Sequence, residues 1–246
     1  KDICKRLNID TKKHKERMFL SAISSAKDEL IDPIEFETRA AGDYAKRIQA
    51  QVYREYQQVL RQNNALDFDD LIMKTVELFK LDGEVLNAYQ ERLRYIMVDE
   101  YQDTNTAQFE LIRLLANKYK NLCVVGDDDQ SIYKFRGANI YNILNFEKHF
   151  PDATVIKLEQ NYRSTQNILD AAQKVIMQNT QRSDKALFTE SGKGAPVTIE
   201  ALRDEEAEAN WVGNQIKRSG RPLSDFAVLY RTNAQSQAFE KAFMRL

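Results

Sequence analysis

Residues 95–105 read YIMVDEYQDTN, and this stretch decides how the chain folds. An apolar run over residues 95–98 stops abruptly at Asp99 and Glu100. Such a run is typical of a buried central strand that carries its acids to the carboxyl edge of a parallel sheet. Open α/β sheets bind their ligands at that edge. The stretch therefore predicts a strand that ends in a ligand site.

Two adjacent carboxylates at a strand end suit phosphate chemistry. Asp99 can hold Mg²⁺ through its water shell, and Glu100 can orient or deprotonate an attacking water. The same pair can equally be solvated acids at a strand end, or acids that cap the following helix. The pair alone leaves these interpretations open.

Strands and helices are predicted to alternate after residue 95. The later apolar runs cover residues 122–125, 154–158, 197–202 and 226–230, with helical periodicities between them. This alternation predicts an α/β fold, in which a mostly parallel sheet carries helices on its faces. Residues 1–94 are instead predicted to be almost wholly helical, because their apolar residues recur at three- and four-residue steps. Asp67 is the predicted N-cap of one of these helices.

Composition narrows the function classes only a little. The 246 residues carry a formal net charge of −1, so any nucleic-acid binding has to come from local patches. The two cysteines are too few for a disulfide framework, and Cys123 is predicted to be a core thiol. We therefore expect a reduced, intracellular protein. The chain begins without Met and stops inside an apparent helix, so we expect a fragment of a longer protein.

Polar side chains follow four of the apolar runs, which predicts one or more polar surfaces along the sheet edge. In chain order, these side chains are Asp99 and Glu100, Asp127 and Gln130, Tyr162 and Arg163, and Arg231 and Asn233. The acid Asp127 and the amide Gln130 can sense a phosphate or its attacking water. Tyr162 offers a flat ring, and Arg163 offers a planar fork that suits phosphate oxygens.

Residues 131–137 read SIYKFRG, in which aromatic and basic residues alternate. Stacking rings between phosphate-binding bases are what single-stranded nucleic acid requires. Alternatively, Tyr133 and Phe135 are core residues of a loop, with Lys134 and Arg136 solvated. The sequence of this loop alone does not decide between the two.

Together these clusters resemble the superfamily 1 DNA helicases of the UvrD, Rep and PcrA family, with the PcrA branch the most similar. VDEYQDTN at 98–105 resembles the Walker B motif of that family. The other similar segments are LDFDDLI at 66–72, VVGDDDQSIYKFRGA at 124–138, LEQNYRST at 158–165 and FAVLYRTNAQS at 226–236. Several long motifs in family order are a much stronger signal than any one of them.

The resemblance implies RecA-like P-loop NTPase motor-domain pieces with parallel sheets, joined to an all-helical subdomain. Residues 1–94 would form that helical subdomain (1B-like), residues 95–158 the later part of motor domain 1A, and residues 159–246 the start of motor domain 2A. The parent would be an ATP-dependent DNA helicase that moves 3′ to 5′ on single-stranded DNA and unwinds duplex DNA in repair or replication. It would act in the bacterial cytoplasm at the nucleoid.

The resemblance also implies residue roles in an ATP site between the two motor domains. Asp99, with Glu100, would bind Mg²⁺, and Glu100 would activate the hydrolytic water. Gln130 would contact the γ-phosphate, Tyr162 would stack on adenine, and Arg163 would act as the arginine finger. The implied DNA-binding residues are Tyr133, Phe135, Arg136, Arg231 and Asn233.

The chain departs from the family pattern in one large respect. The phosphate-cradling loop GxxxxGK[ST] does not occur in its 246 residues, and the resemblance places it ahead of residue 1. We therefore expect weak or absent binding of ATP and Mg²⁺, and no catalysis, in the isolated chain. A smaller departure is Lys134-Phe135, where relatives commonly have Arg-Trp, so that base stacking is expected to be weaker.

Two alternatives from other classes remain open on the sequence. A metal-dependent nuclease could use Asp99, Glu100, Asp127, Asp128 and Asp129, and would cleave nucleic acid with Mg²⁺ or Mn²⁺ and no ATP. A non-catalytic module would bind single strands with steep salt dependence and no effect of nucleotide.

Overall fold

A computed structural model describes residues 1–244 of the chain. These residues divide into two compact units, one of residues 1–159 and 174–186, the other of residues 160–173 and 187 onward. The described helices are α1 (Asp2–Arg6), α2 (Glu16–Asp28), α3 (Pro33–Arg39), α4 (Tyr44–Gln62), α5 (Phe68–Leu81), α6 (Gly83–Arg92), α7 (Thr106–Ala116), α8 (Tyr141–Leu144), α9 (Phe146–His149), α10 (Gln166–Ile176), α11 (Glu205–Ser219) and α12 (Ser236–Phe243). The strands are β1 (Ile96–Val98) and β2 (Leu122–Val124).

The first 94 residues form helices α1 to α6, which confirms the predicted helical segment. Asp67 caps α5 as predicted, because its Oδ1 accepts a hydrogen bond from the backbone N–H of Asp70 at 2.8 Å. The Asp70 side chain accepts in turn from the backbone N–H of Asp67 at 3.4 Å. This reciprocal capping box satisfies two N–H groups that a helix start would otherwise leave without partners.

A buried cluster joins α1, α2 and α4 into the core of the helical segment. Its members are Cys4, Phe19, Ile23, Ala26, Val52 and Tyr53. The Tyr53 ring is fully buried, and its hydroxyl donates to the carbonyl oxygen of Ile31 at 3.0 Å. Burial of this apolar surface is the main force that holds the short helices together.

One buried cation fastens α2 to the start of α5. The Lys27 side chain is fully buried, with Nζ 2.6 Å from Asp67 Oδ2 and 3.0 Å from Asp70 Oδ1. Gln57 of α4 donates to the same Asp70 Oδ1 at 3.1 Å. Burial raises the pKa of Asp67, but the hydrogen bonds from Lys27 and from the backbone of Asp70, together with the charge of Lys27, outweigh burial, so that the pKa lies below its usual range. Three helices therefore depend on one compensated set of buried charges.

Replacing Lys27 by Met is expected to lower the free energy of unfolding by about 3–5 kcal/mol, because it leaves the buried Asp70 without a counter-charge. Arg39→Met removes an exposed ion pair with Glu35 and is expected to cost less than about 1 kcal/mol. Urea unfolding followed by circular dichroism compares the two. Equal costs for both variants would show that the buried charges contribute nothing special.

The sheet consists of β1 and β2, which pair in parallel. The register sets Ile96 beside Leu122, Met97 beside Cys123, and Val98 beside Val124. Helix α7 lies between the two strands in the chain, and parallel strands need such a crossover. Its start is fixed by a capping box between Asn105 and Gln108, with hydrogen bonds of 2.8 and 3.0 Å. A parallel pair with helices confirms the α/β class.

The prediction that β1 and β2 are buried is wrong for one face of the sheet. Met97 is 81% exposed and Cys123 is exposed as well, so Cys123 is not a core thiol. The reason lies in the register, because paired residues on parallel strands project to the same face of the sheet. Within the described part of the chain, that face is left uncovered.

Three of the predicted strands do not form within residues 1–244. The runs at 154–158, 197–202 and 226–230 have no ladder of hydrogen bonds, and Ile156, Leu158 and Leu229 are exposed. A β-prone run becomes a strand only where a neighbouring strand accepts its backbone groups. The only described pairing near these runs is an isolated parallel bridge between Gln160 and Phe188.

The second unit is built mainly on α11 and α12, which pack against each other. Asp204 caps α11 by accepting from the backbone N–H of Ala207 at 2.8 Å. A tight loop also lies over the start of α10, where Asn167 Nδ2 donates to the carbonyl oxygen of Gly194 at 2.9 Å. A Cβ at Gly194 would collide with Thr165, and the φ of +70° favours glycine as well. No helix in the described residues has the length and apolarity needed to cross a membrane.

Candidate functional site

Asp99 and Glu100 follow β1 directly, and both are exposed. The Asp99 carboxylate accepts from the backbone N–H of Glu100 at 2.9 Å. Glu100 has φ 49° and ψ 42°, in the left-handed region that non-glycine residues rarely adopt. Strained backbone of this kind is concentrated at functional sites. It turns the chain sharply at the strand end and starts the short 3₁₀ turn Tyr101–Asp103.

Gln102, which no sequence pattern singled out, links this turn to the loop after β2. Its Nε2 donates to Glu100 Oε2 at 2.8 Å, and its Oε1 accepts from the backbone N–H of Asp127 at 3.0 Å. The Gln102 residue is 1% exposed. A Cβ built on Gly126 would come within 2.7 Å of the Gln102 amide oxygen, so any larger residue there would have to displace the amide.

The structure brings the predicted pair Asp127 and Gln130 together. Gln130 is exposed, and its Nε2 donates to Asp127 Oδ2 at 2.6 Å. Asp127 Oδ1 also accepts from the backbone N–H of Asp129 at 3.1 Å, which begins the 3₁₀ turn Asp128–Gln130. The side chain of Gln130 is therefore held at the loop surface by the acid three positions before it.

Two basic residues in the same unit neutralise the acidic run at 127–129. Arg182 makes a bidentate pair with Asp129, at 2.9 and 2.8 Å. Lys185 Nζ contacts Asp127, and lies 2.8 Å from Asp128 and 3.2 Å from Asp129. Neither cation could be predicted from the sequence, since both stand more than 50 positions away in the chain and carry no local pattern.

These ion pairs keep the acids charged. The hydrogen bond from Arg182 lowers the pKa of Asp129. Burial raises the pKa of Asp127, but the bonds from Lys185 and Gln130 outweigh it, and the pKa falls below its usual range. Among residues 1–244, no group of three His, Cys, Asp or Glu side chains is placed to hold a metal ion. The run at 127–129 is thus an ion-paired structural cluster, which does not favour a nuclease built on it.

The ion pairs of Lys185 with the Asp127–Asp129 cluster predict that Lys185→Met lowers the free energy of unfolding by an amount that depends on pH. At neutral pH the variant leaves partly buried carboxylates short of a counter-charge, and about 2–3 kcal/mol of stability is expected to be lost. The lowered pKa values mean that this contribution is present above about pH 4 and is lost as pH falls through the folded-state pKa values of Asp127 and Asp129.

Urea unfolding between pH 2.5 and pH 7 measures this dependence. The stability difference between wild type and Lys185→Met should shrink as the solution becomes more acidic. Arg54→Met, which removes an exposed pair with Glu37, is the matched control and should show a small difference at every pH. A Lys185→Met difference that stays constant down to pH 2.5 would contradict the electrostatic account.

The loop at 131–137 presents its rings to solvent, which excludes a core role for them. Tyr133 is 39% exposed and Phe135 is 72% exposed, with ring centroids 6.0 Å apart and planes inclined by 32°. The Arg136 guanidinium lies 5.4 Å from the Tyr133 ring centroid and 5.5 Å from that of Phe135. A cation so placed over two surface rings forms a ready platform for a base and a phosphate.

The end of this loop lies close to α2. Gly137 has φ +87°, and a Cβ there would come within 2.5 Å of Asp28 Oδ2. Asn105 Nδ2 donates to Asp28 Oδ1 at 2.6 Å. Burial, with the nearby charges of Asp69 and Glu29, raises the pKa of Asp28 to about 6. One end of the loop thus passes close to Asp28, while its rings stay exposed.

Tyr162 and Arg163 lie in the second unit, on a turn built by Asn161. Asn161 Oδ1 accepts from the backbone N–H groups of Arg163 and Ser164, at 3.0 and 2.8 Å. The Tyr162 ring is 81% exposed, and its hydroxyl donates to Gln160 Oε1 at 2.9 Å. Arg163 is exposed, and its guanidinium has no ion pair in the described part of the chain. Both side chains are open to a ligand.

Arg231 and Asn233 stand on a second turn in that unit. The backbone N–H groups of Arg231 and Thr232 donate to Gln235 Oε1 at 3.0 and 2.8 Å. Asn233 begins the 3₁₀ turn Asn233–Gln235, and its carbonyl oxygen accepts from Ser236 Oγ at 2.9 Å. The backbone is well fixed while the side chains of Arg231 and Asn233 stay exposed.

The carboxylates at the end of β1 fit one particular mode of Mg²⁺ binding. Magnesium in nucleotide enzymes is bound by one or two carboxylates, by waters and by substrate phosphates, and not by an all-protein cage. Asp99 and Glu100 are two exposed carboxylates of that type.

Comparison with known proteins identifies both halves of the chain. Residues 1–151 match the UvrD/REP helicase N-terminal domain, and residues 156–246 match the UvrD-like helicase C-terminal domain. The chain is 52% identical, over its whole length, to the ATP-dependent DNA helicase PcrA of Staphylococcus epidermidis (strain ATCC 35984). It is also 52% identical over its whole length to the ATP-dependent DNA helicase PcrA of Staphylococcus aureus (strain Mu50). The chain spans about a third (34%) of the length of these relatives.

Proposed function

Since the chain belongs to the UvrD/Rep helicase family, we propose that it forms part of an ATP-dependent DNA helicase that moves 3′ to 5′ on single-stranded DNA and unwinds duplex DNA. The observation that carries this proposal is the link from Glu100 through Gln102 to the loop with Gln130 and the exposed rings. It joins carboxylate chemistry for phosphate to a surface suited to single strands. A role in repair or replication, at the nucleoid of the bacterial cytoplasm, accords with that substrate.

The fold that we propose for this helicase has three parts. Residues 1–94 form a helical subdomain, residues 95–158 the later part of a RecA-like motor domain, and residues 159–246 the start of a second. The parallel pairing of β1 with β2 and the helical caps of the first segment support this division.

Asp99, Glu100 and Gln130 act on the phosphates of ATP in this proposal. Asp99, with Glu100, would hold Mg²⁺, which would supply neutralisation of charge on the phosphate oxygens. The free oxygen of the Glu100 carboxylate orients a water and accepts its proton, and Gln130 contacts the γ-phosphate. Exposure of all three side chains supports these roles.

Tyr162 and Arg163 complete the proposed nucleotide chemistry. An exposed phenol ring stacks on adenine, while an unpaired guanidinium stabilises the charge that develops on the transferred phosphoryl group. The turn made by Asn161 supports this role, since it fixes the backbone of Arg163 and leaves the side chain free to reach a phosphate.

The proposed DNA contacts lie in both units. Tyr133 and Phe135 stack on bases and Arg136 binds phosphate, as the cation over two exposed rings suggests. Arg231 and Asn233 contact DNA from the second unit. Gln130 and Ser131 are consecutive, so a nucleotide-dependent movement of Gln130 acts directly on the stacking loop.

In the full-length protein, Glu100→Gln is expected to lower DNA-stimulated ATP turnover by about 10²–10⁴-fold with ATP affinity retained, because the amide cannot accept the proton of water. A phosphate-release assay and displacement of a strand from a 3′-tailed duplex measure this. Glu147→Gln, on an exposed turn of α9, is the control.

Three results would contradict the proposal. They are undiminished turnover in Glu100→Gln, unwinding from a 5′ tail in place of a 3′ tail, and nucleic-acid cleavage without ATP. The 246-residue chain alone should show no turnover above background, because it contains no phosphate-cradling GxxxxGK[ST] loop.

Phe135→Ala in the full-length protein is expected to weaken the binding of single-stranded DNA by about 1–3 kcal/mol, which is roughly 5- to 150-fold in Kd, because one stacking ring is removed. Phe135→Trp offers a larger platform and should bind at least as tightly as wild type. Fluorescence anisotropy with a labelled oligonucleotide measures both. Tyr44→Ala, a loss of another exposed ring, is the control. An unchanged Kd in Phe135→Ala would exclude stacking at this position.

A further inference from the structure

We propose that Gln102 is a positioning residue for ATP hydrolysis, holding the Glu100 carboxylate toward water and joining it to the loop that carries Gln130. The inference rests on the function proposed above and deepens it. Gln102 itself contacts neither nucleotide nor water in this role, and it acts through Glu100.

The contacts of Gln102 use both halves of its amide. Its Nε2 lies 2.8 Å from Glu100 Oε2, and its Oε1 lies 3.0 Å from the backbone nitrogen of Asp127. An ionised carboxylate only accepts and a backbone N–H only donates, so these partners fix which end of the amide is nitrogen. Gln102 is 1% exposed, so its amide is satisfied by these two protein partners and not by bulk water.

The closest replacements of the Gln102 amide lose one or both of these contacts. A carboxylate in place of the amide would face the Glu100 carboxylate and repel it. A methionine has the right length, but it would leave the Asp127 N–H without a partner and release Glu100 Oε2. Asparagine is one methylene shorter and cannot span both partners. The amide packs so closely on Gly126 that a Cβ there would lie 2.7 Å from Gln102 Oε1.

The hydrogen bond decides where Glu100 points. Glu100 is exposed and stands in left-handed backbone, so little packing restrains its side chain. Gln102 occupies Oε2 and leaves Oε1 for a water, which fixes the carboxylate in one orientation. A misplacement of about 1 Å in a catalytic group can cost about 100-fold in rate.

The same amide extends the network to the phosphate sensor. Beyond Gln102, the Asp127 carboxylate accepts from Gln130 Nε2 at 2.6 Å. Ser131 Oγ also donates to the carbonyl oxygen of Gln102 at 3.3 Å. A continuous series of contacts therefore runs from Glu100 to Gln130 and to the first residue of the stacking loop. Movement of Gln130 toward a γ-phosphate is transmitted to the group that activates water.

Gln102→Met in the full-length protein tests the inference. We expect kcat for ATP to fall about 10- to 100-fold, with KM for ATP and binding of a non-hydrolysable ATP analogue changed less than about threefold. In the Glu100→Gln background, the same substitution should cause no further loss, since its effect passes through Glu100. A merely structural role would lower the rate in both backgrounds by the same factor.

Gln90→Met is the matched control, because Gln90 is another buried glutamine of the same unit, whose Nε2 donates to the carbonyl oxygen of Leu114 at 2.8 Å. It should lose a similar stability and keep kcat. If Gln102→Met does not fold, Gln102→Asn keeps an amide in place and should show the same fall in kcat.

The outcomes separate this inference from the proposed function. Turnover that survives Glu100→Gln overturns the function itself. Turnover that is lost in Glu100→Gln but unchanged in Gln102→Met overturns only the role of Gln102. Equal losses for Gln102→Met in the wild-type and Glu100→Gln backgrounds overturn it as well.

Discussion

The parallel pairing of β1 with β2 is the constraint on which the candidate site depends. Val98 lies beside Val124 in the register, so both strands end at the same edge of the sheet. The acids after β1 and the loop after β2 are consequently neighbours, although about 25 positions separate them in the chain. With an antiparallel register these groups would leave at opposite edges, and no bond from Gln102 to Asp127 could form.

Buried and half-buried ion pairs join several segments of this chain. Lys27 fastens α2 to α5, and Lys185 with Arg182 fastens residues 182–185 to the loop after β2. Such pairs contribute little net energy compared with apolar packing, but breaking one is costly, because a buried charge is left without a partner. The main effect of these ion pairs is therefore to specify which segments come into contact, and their net contribution to stability is small.

The sequence was informative where structure depends on near neighbours in the chain. The cap at Asp67 and a strand that ends at Val98 follow from local chemistry, and both were predictable, although β1 begins at Ile96 and not at Tyr95. The run at 226–230 has the same β-prone composition, yet it forms no strand, because ladder partners are not a local property. The exposure of Cys123 and the partners of Lys185 also depend on distant segments, which explains why neither could be inferred.

In the proposed function, one short loop serves two chemistries. Residues 126–137 begin beneath the amide of Gln102, carry Gln130 at the surface, and end at Gly137, whose backbone lies close to Asp28. At the start of the loop, Gln102 holds the backbone of Asp127, and Ser131 Oγ donates to the carbonyl oxygen of Gln102. Under our proposal, a displacement of Gln130 by nucleotide is passed to the segment that follows it, which holds Tyr133 and Phe135. The proposed coupling of phosphate chemistry to a stacking surface therefore needs no large change elsewhere in the unit.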